Sequence, residues 1–276
     1  MSRWLAACLI ALATACAGPA PSRSSPAQSR LTEAESRAAA LVKSGDYAAA
    51  ARFYGEALRI ATSLENADAI AANAINLSIV EQWLGHEAQA RAALGAVLDE
   101  PRGNFSERRK LQAELRRGIL ELAAGNVGAA AVWAGQAEAR CARTNCEYAA
   151  TILNLRAQVE LESGRAADAA RLALAAGERA KGNRAEAANA LRTLGRARQA
   201  QGESAAALEP LRRALELDRE AGDPRKILAD LAELARAADA AGDREAARGY
   251  KERGLAVSRA LNDGRSAAEM EVLLRR

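Results

Sequence analysis

Side chains able to do chemistry are sparse in this chain of 276 residues, which holds one histidine, His86, and four cysteines, Cys8, Cys16, Cys141 and Cys146. A metal site needs several such ligands converging. His86 directly follows Gly85, so it reads as a solvated turn residue and leaves no metal site to build. No Gly-rich loop follows a strand-like run to cradle a phosphate, and the serines and acids show no nucleophile–base pairing. The expectation is a protein that is not an enzyme and uses no cofactor and no metal. The alternative is an enzyme, or an enzyme subunit, with a site between repeated elements, because catalytic groups converge in space and not in sequence.

The cysteines sort by position. Cys8 lies in an apolar run from Trp4 to Leu12, preceded by Arg3 and followed by Ala13-Thr14-Ala15 and Cys16. This pattern reads as an export signal over residues 1–15. The run of nine residues falls well short of the roughly 20 that span a bilayer as a helix. Cys141 and Cys146 then remain as a local pair, and in an oxidising compartment they suggest one disulfide, with two free thiols as the alternative. Their place, at a tight connection between helices, can bring the side chains close.

The N-terminal pattern resembles a bacterial lipoprotein signal, in which the cysteine becomes the lipidated first residue. That resemblance implies fatty acylation of Cys16, palmitate among the chains, and a membrane partner reached through the anchor. Ala13 stands where such signals usually carry Leu, and Ala13-x-Ala15 also suits the ordinary signal peptidase, so a soluble periplasmic protein stays open. Ala17 after the cysteine, in place of the Asp that resembles an inner-membrane retention signal, favours an outer-membrane lipoprotein facing the periplasm of a Gram-negative cell. Residues 16–30, rich in Pro and Ser, read as the anchor and a flexible tether spanning about 20 Å.

Those residues must be carried by a folded part, residues 31–276, whose class is set by composition. Half of the residues are hydrophobic, 27% are charged and only 3% are aromatic. About a quarter are Ala, and the residues that fill strands are scarce, so the chain is expected to be all-α. A net charge of +4 from 39 bases and 35 acids gives no clustered basic face and argues against a nucleic-acid partner.

The folded part repeats itself. Turn glycines fall at Gly45, Gly85, Gly125, Gly164, Gly202 and Gly242, at spacings of 40, 40, 39, 38 and 40. Seven residues earlier stand Ala38, Ser78, Gly118, Ala157, Gly195 and Ala235. Five residues after the glycines stand Ala50, Ala90, Ala130, Ala169, Ala207 and Ala247, and twelve after stand Ala57, Val97, Ala137, Ala176, Ala214 and Gly254. Small residues at facing positions let two helices approach, and glycine ends the first of them. Each pair then stacks on the next. Capping-box spacing at Asn104/Glu107 and Asn183/Glu186, with Asp223-Pro224, marks three helix starts. Pro210 falls inside a helix and removes one backbone bond, which predicts a mild bend. The segment after Asn262-Asp263 is expected to form one extra capping helix.

The columns resemble the tetratricopeptide repeat (TPR) family over residues 31–262, through Leu191-x2-Leu194-Gly195 and Ala207-x3-Leu211-x2-Ala214 in the fifth copy. Tyr47, Ala50, Tyr54 and Ala57 carry it in the first. The resemblance implies a right-handed α-solenoid of about six helix-turn-helix repeats. The period near 40, against 34 for the family, implies helices longer by about a turn. Arg37, Arg117 and Arg156 stand where the family has a large first-helix residue.

In the TPR family the first helix of each pair lines a groove that holds a protein or peptide partner. Carrying the outward positions over selects Arg192, Arg196 and Arg236, an arginine wall suited to an acidic peptide or a terminal carboxylate. The second and third copies offer Ile75, Asn76, Ile79, Trp83, Leu115 and Ile119. There Glu114, Arg117 and Glu121 occupy positions the family buries, which suggests that this helix turns its apolar side inward. The function implied is a membrane-anchored periplasmic scaffold or adaptor that assists assembly of an envelope complex such as pilus, secretion or cell-wall machinery.

Overall fold

The computed structural model describes residues 25–100, 103–143, 146–261 and 263–275. Cys8, Cys16, the export signal and the tether up to residue 24 therefore lie outside the described residues. The rest is a run of helices with no strand among the described residues. They form six pairs: α1 (Pro26–Ser44) with α2 (Tyr47–Ser63), α3 (Ala67–Trp83) with α4 (Glu87–Leu98), α5 (Glu107–Ala123) with α6 (Val127–Cys141), α7 (Ala149–Glu162) with α8 (Ala166–Arg179), α9 (Arg184–Ala200) with α10 (Ser204–Ala221), and α11 (Pro224–Ala240) with α12 (Arg244–Ala260). The extra helix α13 (Gly264–Leu274) covers the end, as expected.

Each pair turns in one way. Gly45 adopts φ 82°, its N–H donates to Val42 O at 3.2 Å, and the N–H of Asp46 donates to Leu41 O at 3.0 Å. This double closure satisfies carbonyls that the end of a helix would orphan, and it needs a left-handed residue. The other five turn glycines repeat it, with φ between 78° and 83°.

The small-residue columns sit where the helices touch. Ala38, Ser78, Ala157 and Ala235, and all six alanines from Ala50 to Ala247, have no exposed surface. The reason is steric and clearest at Gly195, where an added Cβ would lie 2.5 Å from Leu211 Cγ and 3.2 Å from the Ala207 carbonyl oxygen. At Gly118 it would lie 2.7 Å from Leu155 Cδ2. Leucines fill the space between pairs, with Leu211, Leu231 and Leu234 forming one such cluster.

α10 runs unbroken through Pro210. The missing proline N–H leaves the carbonyl of Ala206 without its donor, and Arg198 Nη1 donates to that oxygen at 2.8 Å. An arginine from the preceding helix thus replaces the lost backbone bond.

Three details depart from the sequence reading. α1 starts at Pro26, inside the stretch read as tether, because Ser25 Oγ accepts the N–H of Gln28 at 3.1 Å. α5 is capped by Ser106, whose Oγ accepts the Arg109 N–H, and not by Asn104. The surplus over a 34-residue period does not lengthen every helix: α4 has only 12 residues, and the connections 99–106 and 142–148 take up the remainder there. Cys141, at the end of α6, and Cys146 in the second connection form the disulfide, with Cα atoms 5.1 Å apart.

The array also curls back on itself. Arg225, at the start of α11, donates through Nε to the hydroxyl of Tyr47, at the start of α2, at 3.0 Å. A contact between residues 178 apart joins the sixth repeat to the first.

Candidate functional site: the groove along the first helices

The first helices α3, α5 and α7 and the start of α9 line a groove of about 470 Å³. Ile75, Asn76, Leu115 and Ile119, all selected from the sequence, are on its wall with Arg109, Gln112, Arg116 and Tyr148. Ile119 keeps 38% of its surface exposed, whereas Leu115 is buried.

α5 has not rotated its apolar side inward. Glu114 and Glu121 are buried as the family register requires, and arginines neutralise them. Arg140 donates to both oxygens of Glu114, at 2.9 and 2.7 Å, and also pairs with Glu107. Glu121 accepts from Arg91 Nε and Nη2 at 2.9 and 3.1 Å, from Arg117 Nε at 2.7 Å and from Asn126 Nδ2 at 2.8 Å. The Arg91 hydrogen bonds, helped by Asn126 and Arg117, outweigh burial and hold the Glu121 carboxyl down at about 2. Buried positions filled by paired charges keep α5 in this register, and of its two apolar residues expected outward Ile119 stays exposed in the groove while Leu115 packs into the core with Leu111 and Ile152.

Arg116 is the unusual group. It is buried, and it donates through Nε to Ser78 Oγ at 2.9 Å and through Nη2 to the Ser78 carbonyl at 2.9 Å and Gln82 Oε1 at 2.6 Å. Among the described residues no carboxylate pairs with it, and burial alone pulls its guanidinium down to about 10. Nη1, which makes none of these bonds, belongs to a side chain on the groove wall. Nearby, the Tyr148 hydroxyl accepts from Gln112 Nε2 at 2.6 Å and Arg108 Nε at 3.2 Å. With both lone pairs engaged, its own O–H is left to donate. Asp68, Arg109 and Gln112 hold that arrangement: Arg109 Nε donates to Asp68 Oδ1 at 2.9 Å and Nη1 to Gln112 Oε1 at 3.0 Å. The result is two donors beside the aliphatic surface of Ile75 and Ile119.

The arginine wall expected on the fifth and sixth copies is corrected by the structure. The Arg192 side chain is 16% exposed and bridges two buried carboxylates, with Nε donating to Asp230 Oδ1 at 2.6 Å and Nη2 to Asp218 Oδ2. Arg196 lies between Glu162 at 2.7 Å and Glu233 at 3.3 Å, and Arg236 pairs with Glu233 at 2.8 Å. Charge on this wall is cancelled, so it offers an acidic ligand no net attraction. The residue three before the small column, which is Leu115, Asn154 and Arg192 in successive copies, faces the neighbouring repeat. The residue one after the small column is more open: Ile119 and Arg236 are exposed, and Ile79 and Arg196 are half-buried. Burial, then the neighbouring Asp218, raises Asp230 to about 6 against the pull of Arg192, and Asp230 Oδ2 has no hydrogen-bond partner.

Trp83 is exposed by 38% and packs edge-to-face on Tyr47, ring centroids 5.0 Å apart. His86 is a turn residue at the start of α4, with Nδ1 2.8 Å from Glu81 Oε2. Arg116, Tyr148 and Arg225 were missed from the sequence. For Arg116 the repeat pattern held no clear signal: the column two before the small residue is buried at Leu155 and Thr193 but exposed at Ser36 and half-buried at Asn76 and Glu233.

No protein-family model matches the sequence, and no curated protein matches it. Solved structures share the fold. The signal transduction ATPase with a tetratricopeptide repeat sensor, PH0952 from Pyrococcus horikoshii, superposes with a TM-score of 0.62 at 17% identity, over 88% of this chain and 36% of its own. The APC/C hetero-tetramer Cut9–Hcn1 gives 0.63 at 17% identity, over 89% of this chain and 42% of the other. A Rap protein complexed with Competence and Sporulation Factor gives 0.59 at 18% identity, over 90% and 70%. This chain thus spans less than half the length of the first two. At these identities the likeness establishes a TPR-type helical solenoid.

Proposed function

We propose that the protein is an envelope adaptor, anchored through lipid on Cys16 at the periplasmic face of the outer membrane, whose first-helix groove holds a segment of a partner protein. It acts by binding and not by catalysis, and assists assembly of an envelope complex. The observation that carries the groove reading is Arg116, a buried cation with no counter-ion among the described residues, beside an exposed isoleucine and a tyrosine O–H left to donate. Burying a charge without a partner is costly, and a carboxylate from an acidic side chain or a chain terminus would supply one. Two of the similar folds were captured with a second molecule, which supports a binding role. The export pattern and a disulfide between Cys141 and Cys146 support an oxidising compartment.

The test is crosslinked recovery of partners from intact envelopes. Wild type is expected to retain a partner that Arg116→Gln loses, and Cys16→Ala is expected to leave the membrane fraction. Equal partner recovery with Arg116→Gln, or membrane retention of Cys16→Ala after a high-salt wash, would overturn the corresponding half of the proposal.

A further inference from the structure

Arg225 is held in a way its own helix does not explain. It is the second residue of α11, where the helix dipole disfavours a positive charge, and among the described residues no carboxylate forms an ion pair with it. Its guanidinium carbon instead lies 4.4 Å from the centroid of the Tyr47 ring and 5.2 Å from that of Trp83. The two rings meet at 62°, and the Tyr47 hydroxyl accepts the Nε–H at 3.0 Å. Two aromatic faces and an oxygen around one cation are the elements of a cation-recognition site. The ring pair comes from α2 and α3, the cation from a helix more than 140 residues further on.

We propose that Tyr47 and Trp83 form a binding site for a guanidinium side chain, which Arg225 fills from within the chain and so clasps the curled array shut. An arginine presented by a partner competes for the same rings, and displacing Arg225 releases the sixth repeat from the first. The site stands on its own residues and not on Arg116, so failure of either reading leaves the other intact.

The test uses the purified exported protein carrying Trp133→Phe; Trp4 leaves with the export signal, so Trp83 is the sole tryptophan. N-acetyl-arginine amide is the probe and its neutral isostere N-acetyl-citrulline amide the control, at constant ionic strength, with Trp83 emission as the readout. Arg225→Ala vacates the site, and its apparent affinity for the arginine probe is expected to rise at least about tenfold over the parent, since an occupied site lowers apparent affinity by the fraction that is free. Adding Trp83→Leu should abolish the binding as read by probe chemical shifts. Small-angle scattering should show a larger radius of gyration for Arg225→Ala, and an unchanged one for Arg236→Ala. Equal affinity in parent and Arg225→Ala, or equal response to the citrulline probe, would overturn the site; an unchanged radius of gyration would overturn the clasp.

Discussion

Removing the carboxylate of Glu121 probes why α5 keeps its register. The group is 5% exposed, and its four hydrogen bonds come from two arginines and an asparagine. A drop from 4.5 to about 2 corresponds to roughly 3 kcal/mol of preferential stabilisation of the charged form, at 1.36 kcal/mol per pKa unit. Arg91 and Arg117 are 28% and 21% exposed, so partial solvation brings the expectation to about 2–3 kcal/mol. Because the folded value is depressed, this stability is present above pH 4.5 and is lost as pH falls toward 2. Glu121→Gln should therefore be about 2–3 kcal/mol less stable than wild type in urea unfolding at pH 7, and the gap should close as the pH falls below 3. A gap that is absent at pH 7, or constant from pH 7 to pH 2.5, would refute the reasoning. Glu121→Leu extends the test, because a helix with its apolar side turned inward would tolerate it, whereas this one strands Arg91 and Arg117.

Other consequences are testable in the same assay. Asp230 is pushed upward by burial, so its contribution is present below pH 4 and lost as pH rises through about 6. Asp230→Asn should gain on wild type across that window; parallel pH profiles would contradict it. Gly195→Ala should destabilise by about 1–3 kcal/mol, because its Cβ meets Leu211. Gly135→Ala, with open space around it, should stabilise by about 0.5–1 kcal/mol, and equal signs for the two would be wrong. Arg198→Ala should cost about 0.5 kcal/mol, because the exposed Ala206 carbonyl exchanges its arginine donor for water, and pairing it with Pro210→Ala, which restores the backbone donor, should remove most of that cost.

Much of the architecture was legible because it rests on strictly local rules. A glycine at each reversal and small residues at fixed distances specify where helices end and where they touch, and Gly45 to Gly242 with their alanine columns are placed as read. What was less legible depends on charges meeting across repeats. Nothing local to Arg192 shows that Asp218 and Asp230 will enclose it, so an arginine on a groove-lining helix was taken for a free one. Glu114 and Glu121 misled in the opposite sense, because their partners Arg140 and Arg91 come from second helices. The tie between Arg225 and Tyr47 depends on the curvature of the whole array, which no single repeat encodes.

The central claim, that the groove of α3, α5 and α7 takes the partner, is tested most directly by a photocrosslinking residue placed in intact envelopes at Ile119 or at Val132. Both positions are exposed, by 38% and 59%, but Ile119 lies on the groove wall and Val132 on the second helix of the same pair. A discrete adduct from Ile119 that Arg116→Gln abolishes, with none from Val132, is the expected result. Adducts of equal yield from both positions, or from Val132 alone, would contradict the account.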